Sequence, residues 1–138
     1  MLRVAAAVLA TAALGVAAAG CGDEPVAVTQ TALGGQSFAS ASVEGYELAP
    51  KTELTLHFEA GRLAAKAGCN TIAGPFTVVK NVLKQTDQVQ TQMSCGAQID
   101  AQEQWFAGFL SAGAKATLLE HSLTLEGRGV KVVFKHAK

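Results

Sequence analysis

Residues 68–95 read GCNTIAGPFTVVKNVLKQTDQVQTQMSC, and the rest of the chain is arranged around this stretch. It opens on the turn-forming Gly68-Cys-Asn70, passes Gly74-Pro75, and closes on Thr91-Gln-Met-Ser-Cys95 just ahead of a helix-forming segment. After Pro75, Phe76 and Val78 alternate with Thr77 as a half-buried strand does, and Asn81 marks a turn. Residues 83–93 hold four glutamines and two threonines, and extended backbone is expected there despite few β-branched or apolar side chains.

Downstream, Asp100 with Glu103 three residues on has the form of a capping box, each side chain satisfying an orphan amide of the first turn. Trp105, Phe106, Phe109 and Leu110 form one apolar stripe, with Trp105 and Phe109 expected to dominate its burial. Gly113 is placed to end the helix. Three strands follow, over residues 114–120, 122–126 and 130–136, the last two joined by a three-residue loop, Gly127-Arg-Gly129. Lys131 and Lys135 on the last strand would guard an open sheet edge.

Upstream, Leu54, Leu56 and Phe58 alternate with Thr55 and His57, Ala60-Gly61 turns the chain, and residues 62–66 return as the second arm of a hairpin. Residues 36–43 carry a weaker strand pattern around Phe38 and Val43, ended by Glu44-Gly45. The sum is an α+β domain: a small antiparallel β-sheet or partly closed barrel of seven or eight short strands, with one helix packed on it.

The first 20 residues stand apart. Arg3, an apolar run over residues 4–16 and the small residues Ala17-Ala-Ala-Gly20 have the layout of a secretory signal peptide, too short for a membrane-spanning helix. This leader raises the apolar fraction to 49%. Ala18-Ala-Gly-Cys21 has the form of a bacterial lipobox, although a larger aliphatic residue is more usual where Ala18 stands. Cys21 is then the lipidation site, and the lipid is the link to the membrane on the extracytoplasmic side of the cell envelope. The alternative is a plain secreted chain cut after Ala19, with a free Cys21. Residues 21–35 read as a lipidated tether, and residues 36–138 as the domain. Loss of Arg3 leaves ten basic against eleven acidic residues, scattered and without a basic stripe. That composition excludes nucleic acid as a partner.

Cys69 and Cys95 have 25 residues between them. In an exported domain such a pair tends to close as a disulfide; the competing reading is two separate buried thiols. Cysteine catalysis needs a base within reach, and His57, His121 and His136 lie apart in strands or turns. There is no CxxC, HxxxH or acidic ligand loop, so neither a metal nor a cofactor is expected, and no residue is assigned a catalytic role. Asn70 is read as bending the chain, or alternatively as a ligand contact, and Thr91 and Gln92 as strand residues.

Taken together, Gly68-Cys-Asn70, Gly74 and Phe76, Thr91-Gln-Met-Ser-Cys95, the helix with Glu103 and Phe106, and Leu123-Thr-Leu125 resemble a META domain. That family includes the heat-shock-inducible HslJ lipoproteins of bacterial envelopes. The resemblance spans residues 36–134 and makes Gly68, Cys69, Asn70, Gly74, Thr91, Met93 and Cys95 the family motif; Phe38 stands where the family typically carries tryptophan. It implies a small barrel-like β domain with a helix, and an association with heat shock and novobiocin tolerance without an established reaction. The expected function is therefore a non-enzymatic, monomeric, lipid-anchored envelope protein of stress tolerance. The alternative is a small-molecule- or peptide-binding envelope module, using the barrel mouth or an edge strand to hold a ligand or an envelope protein.

Overall fold

The computed structural model describes residues 24–137. The expected leader over residues 1–20 and the expected lipidation site Cys21 lie outside the described residues. In chain order the elements are α1 (Gln30–Leu33), β1 (Ser37–Glu44), β2 (Thr55–Glu59), β3 (Arg62–Lys66), β4 (Thr71–Val79), β5 (Val82–Gln85), β6 (Val89–Gln90), α2 (Ala97–Ala112), β7 (Ala114–Leu118), β8 (Ser122–Gly127) and β9 (Val130–His136).

Every strand pairing is antiparallel, and the sheet runs β3-β2-β1-β9-β8-β7-β5-β4, with β3 pairing back onto β4. Eight strands thus close a full ring, and β6 is an extra strand on β4. The closing pair that sequence could not supply is β1 with β9, Phe38 opposite His136 and Glu44 opposite Lys131, interrupted by a bulge between Ser40 and Ser42. Because β9 lies between β1 and β8, Lys131 and Lys135 guard no sheet edge, contrary to the expectation.

An eight-stranded barrel is just wide enough for side chains to fill it. Here the alternating inward residues do so. Phe38, Phe58, Phe76 and Phe134 are fully buried, with Phe38–Phe58 and Phe58–Phe76 meeting edge to face at 6.0 and 5.1 Å between centroids. The tryptophan position of the resemblance is therefore filled by Phe38 without opening the wall.

Both mouths are covered. Helix α2, in the connection from β5 to β7, lies on the side of the β1–β2, β3–β4 and β8–β9 loops: Gln102 bonds to Ala49 and Ala67, and Phe109 reaches Gly127. Its buried stripe is Phe106, Phe109 and Leu110. Trp105 is only half-buried and stacks on Tyr46 at 3.7 Å, so Phe106, one position further round the helix, has the place expected of Trp105.

The opposite mouth corrects the reading of residues 21–35 as a tether. Over its described part, from residue 24, this segment docks: Val26 bridges to Leu118, Val28 and Leu33 are buried, and the Gln30 side chain donates to the Phe76 carbonyl. Leu33 has an apolar barrel end to fill, and Thr29 caps the short helix that carries it.

Two turns illustrate local control. Gly127 pairs with Val130, so the β8–β9 loop has two residues rather than three; Arg128 and Gly129 both adopt positive φ (52° and 75°), as a type I′ hairpin requires. At Gly74 the reason for glycine is space, since the backbone of Thr86 and Asp87 crosses where its Cβ would be. Gly74→Ala is expected to destabilise the protein by about 1–3 kcal/mol, the usual cost of overpacking, with the connector displaced. A denaturation midpoint unchanged from wild type would show that the connector is free to move aside.

Candidate functional site

The quoted stretch folds into a polar junction between the start of β4, the segment after β6, and the first turns of α2. Cys69 and Cys95 are joined by a disulfide, with Cα atoms 6.3 Å apart. Both sulfurs are consumed in that bond, so neither is free as a nucleophile in this oxidised form. Asn70, only 4% exposed, is the hub. Its Nδ2 donates to Met93 O (2.9 Å) and Glu103 Oε1 (3.1 Å), and its Oδ1 accepts from Met93 N (2.8 Å) and the Thr91 hydroxyl (3.0 Å). Its amide thereby serves Met93 as a neighbouring strand would. Asn70 N donates to Glu103 Oε2 at 2.6 Å.

Glu103 is fully buried and has no basic partner within salt-bridge distance among the described residues. An unpaired buried carboxylate is costly unless hydrogen-bonded, and Asn70 supplies that compensation from its backbone and its side chain. The capping-box expectation is therefore corrected. Helix α2 starts at Ala97 with Gly96 (φ 98°) as N-cap and no side-chain cap, and Glu103 points into the junction instead. Asp100 sits in the first turn, where its charge suits the helix dipole and its Oδ1 accepts from Cys95 N at 3.4 Å.

Of the other motif positions, Gly68 (φ 140°) lies under the Ile99 side chain, and Thr91 receives Thr71 N on its hydroxyl at 3.0 Å. Met93 is held by its backbone while its side chain stays 60% exposed. Gly74 belongs to the barrel wall and not to the junction.

A cleft of about 370 Å³ opens here, lined by Asn70, residues 90–94, Asp100, Glu103 and Gln104. No lysine, arginine or histidine lines it. Two larger surface clefts, of about 630 Å³ beside residues 30–35 and 59–61 and about 520 Å³ beside residues 40–43 and 46–48, lack a comparable buried polar cluster.

Sequence reading passed over three groups. Buried Gln102 accepts Ala49 N (2.7 Å) and donates to Ala67 O (2.7 Å) and Thr52 Oγ1 (3.1 Å), pinning α2 to two loops. Buried Gln85 donates to Leu63 O inside the barrel, and Gln88 links it to Ala107 O. On the outer wall, Ser37 Oγ lies 2.6 Å from His57 Nδ1, and His57 Nε2 lies 2.6 Å from Glu59. That row has the group order of a nucleophile, base and acid, but Ser37 and His57 line none of the three clefts. Among the described residues no cluster of three or more His, Cys, Asp or Glu is placed to hold a metal.

Residues 31–138 match the META domain family. Two solved NMR structures are similar in fold. One shares 22% identity at a TM-score of 0.65, over 79% of this chain and 95% of that one. The other, a protein from Burkholderia xenovorans, shares 14% identity at a TM-score of 0.64, over 86% and 97%. No curated protein matches the chain.

Proposed function

The chain belongs to the META domain family, and from that premise we propose that it is an exported, lipid-anchored protein of the bacterial cell envelope. It acts in tolerance of heat or antibiotic stress by binding or structural support, without a reaction of its own. The observation that carries this reading is the Cys69–Cys95 disulfide, because such bonds persist outside the reducing cytosol. The lipobox-like Ala18-Ala-Gly-Cys21 supports the anchor, and the heat-shock association of the family supports the role. With both barrel ends covered and the interior filled by phenylalanines, binding falls to the outer surface.

Mass spectrometry of the protein isolated from envelope fractions, alkylated before and after reduction, tests the proposal. The expected mature N-terminus is Cys21 bearing a diacylglyceryl thioether, with Cys69 and Cys95 protected from alkylation until reduced. An unmodified terminus at Gly20 or Cys21 overturns the anchor. Free Cys69 and Cys95 thiols in the cell overturn the compartment.

A further inference from the structure

Ring closure leaves β6 as the only strand with a single neighbour among the described residues. The direction of its free groups follows from its bonds. Thr91 N donates to Thr71 O at 3.1 Å, and both backbone groups of Met93 are taken by the Asn70 side chain. These residues turn their backbone toward β4, so the alternate residues Gln90 and Gln92 turn theirs to the opposite side. Among the described residues, neither Gln90 nor Gln92 has a backbone hydrogen-bond partner there.

Exposed edges are ordinarily blunted by shortness, by cover from another element, or by side chains such as lysine, proline or an inward charge; β6 is short, so its side chains decide how open it is. Residues 88–95, QVQTQMSC, contain none of these side chains. The strand itself spans only Val89–Gln90, and the residues after it are held beside β4 by Thr71, Asn70 and the disulfide; Val89 (69% exposed) and Met93 (60% exposed) flank Thr91 at alternate positions. The segment also forms one wall of the 370 Å³ cleft, whose other wall carries the half-buried Asp100, with Glu103 buried behind it and no cation in the lining. That volume lies within the range of about 300–1,000 Å³ typical of ligand sites.

We propose that the free edge of residues 90–92 is a docking site for an extended basic peptide, which adds to β6 as a further strand and lays a lysine or arginine side chain against Asp100. The edge selects extended backbone through the N–H and C=O of Gln90 and Gln92, and the Asp100 carboxylate selects the charge. Val89 and Met93 offer apolar contact to alternate side chains of the incoming strand. A second copy of this chain is the weaker occupant, because it would bring its own Asp100 to the same edge. The inference rests on the reading that this protein acts by binding. It is independent of lipid attachment, which the N-terminal mass reads separately.

The test uses the purified, oxidised protein and a fluorescein-labelled heptapeptide of alternating valine and lysine. Controls are the same peptide with glutamate for lysine, and one N-methylated on the amides facing the edge. Saturating lysine peptide should slow hydrogen exchange at the Gln90 and Gln92 amides by about tenfold or more, while the glutamate and N-methylated peptides bind about tenfold more weakly or not at all. Gln92→Pro removes one outward donor that has no partner in the fold; it should weaken binding by about tenfold with the melting temperature unchanged. Asp100→Asn keeps the acceptor for Cys95 N and should weaken binding of the lysine peptide by about fivefold while flattening its salt dependence. Equal binding of either control peptide, undiminished binding by Gln92→Pro, or no binding of the lysine peptide overturns the proposal. So does a concentration-dependent dimer that protects the same two amides without peptide.

Discussion

Asn70→Asp is expected to destabilise the protein by about 3–5 kcal/mol at neutral pH, although the side chain barely changes in size. Aspartate keeps both acceptors for Met93 N and the Thr91 hydroxyl but loses the donor that now serves Met93 O and Glu103 Oε1. It also sets a second carboxylate against the first, where the present contact is 3.1 Å and both residues are buried. Like charges at that distance, with no basic side chain paired to either among the described residues, cannot both be accommodated cheaply. Denaturant titration reads the loss. The pair Asn70→Asp with Glu103→Gln restores one donor between the two positions and should recover more than half of the stability. A single variant within about 1 kcal/mol of wild type would mean that water enters the junction freely and that the hub holds little together.

Removing the disulfide has the next largest expected effect. Cys69→Ser with Cys95→Ser opens a loop of sequence separation 26, for which the chain-entropy relation gives about 3.5 kcal/mol. For a domain of this size that corresponds to a fall in melting temperature of about 10–20 °C. It is a large share of the roughly 5–15 kcal/mol typical of small proteins. The two predictions are coupled, because Asn70 follows one cysteine directly and Met93 lies two residues before the other. Both fix the segment after β6, so the combined variant should lose less than the sum of the separate losses. Strict additivity, measured by the same titration, would show that the sulfur bridge and the amide hub restrain different parts of the chain.

How much of this was legible follows from the range of each interaction. The β2–β3 and β8–β9 hairpins were readable because Leu54, Leu56 and Phe58, and Val130, Val132 and Phe134, alternate strictly and their turns are local. The helix stop at Gly113 (φ 90°) was readable for the same reason. The helix start was not. Asp100 and Glu103 match a capping pattern, but Glu103 bonds to a residue 33 positions away, a partner that no local spacing announces. Asn70 misled in the same way: its side chain answers Thr91 and Met93, more than 20 residues on. Trp105 and Phe106 are neighbours on one helix face, and only the barrel beneath decides which enters the core. Residues 26–33 looked like a tether because Val28 and Leu33 are sparse, and they count as core only once an open mouth exists for Leu33 to fill. Ring closure itself depends on β1 meeting β9 across nearly the whole domain, beyond the reach of any periodicity.

The β1–β9 seam also bears on when the molecule can acquire its shape. Its partners, such as Phe38 and His136, lie almost a hundred residues apart, so the wall cannot join until the last strand has arrived. Chains dominated by such distant pairings commonly fold in milliseconds to seconds. If the chain is exported as proposed, threaded through a translocation channel from its N-terminus, that delay would keep the emerging portion pliable until its final residues are through. Deleting residues 130–137 would then stall maturation with a half-assembled shell exposed to proteases, even though every residue of the sulfur-bridged junction remained in place.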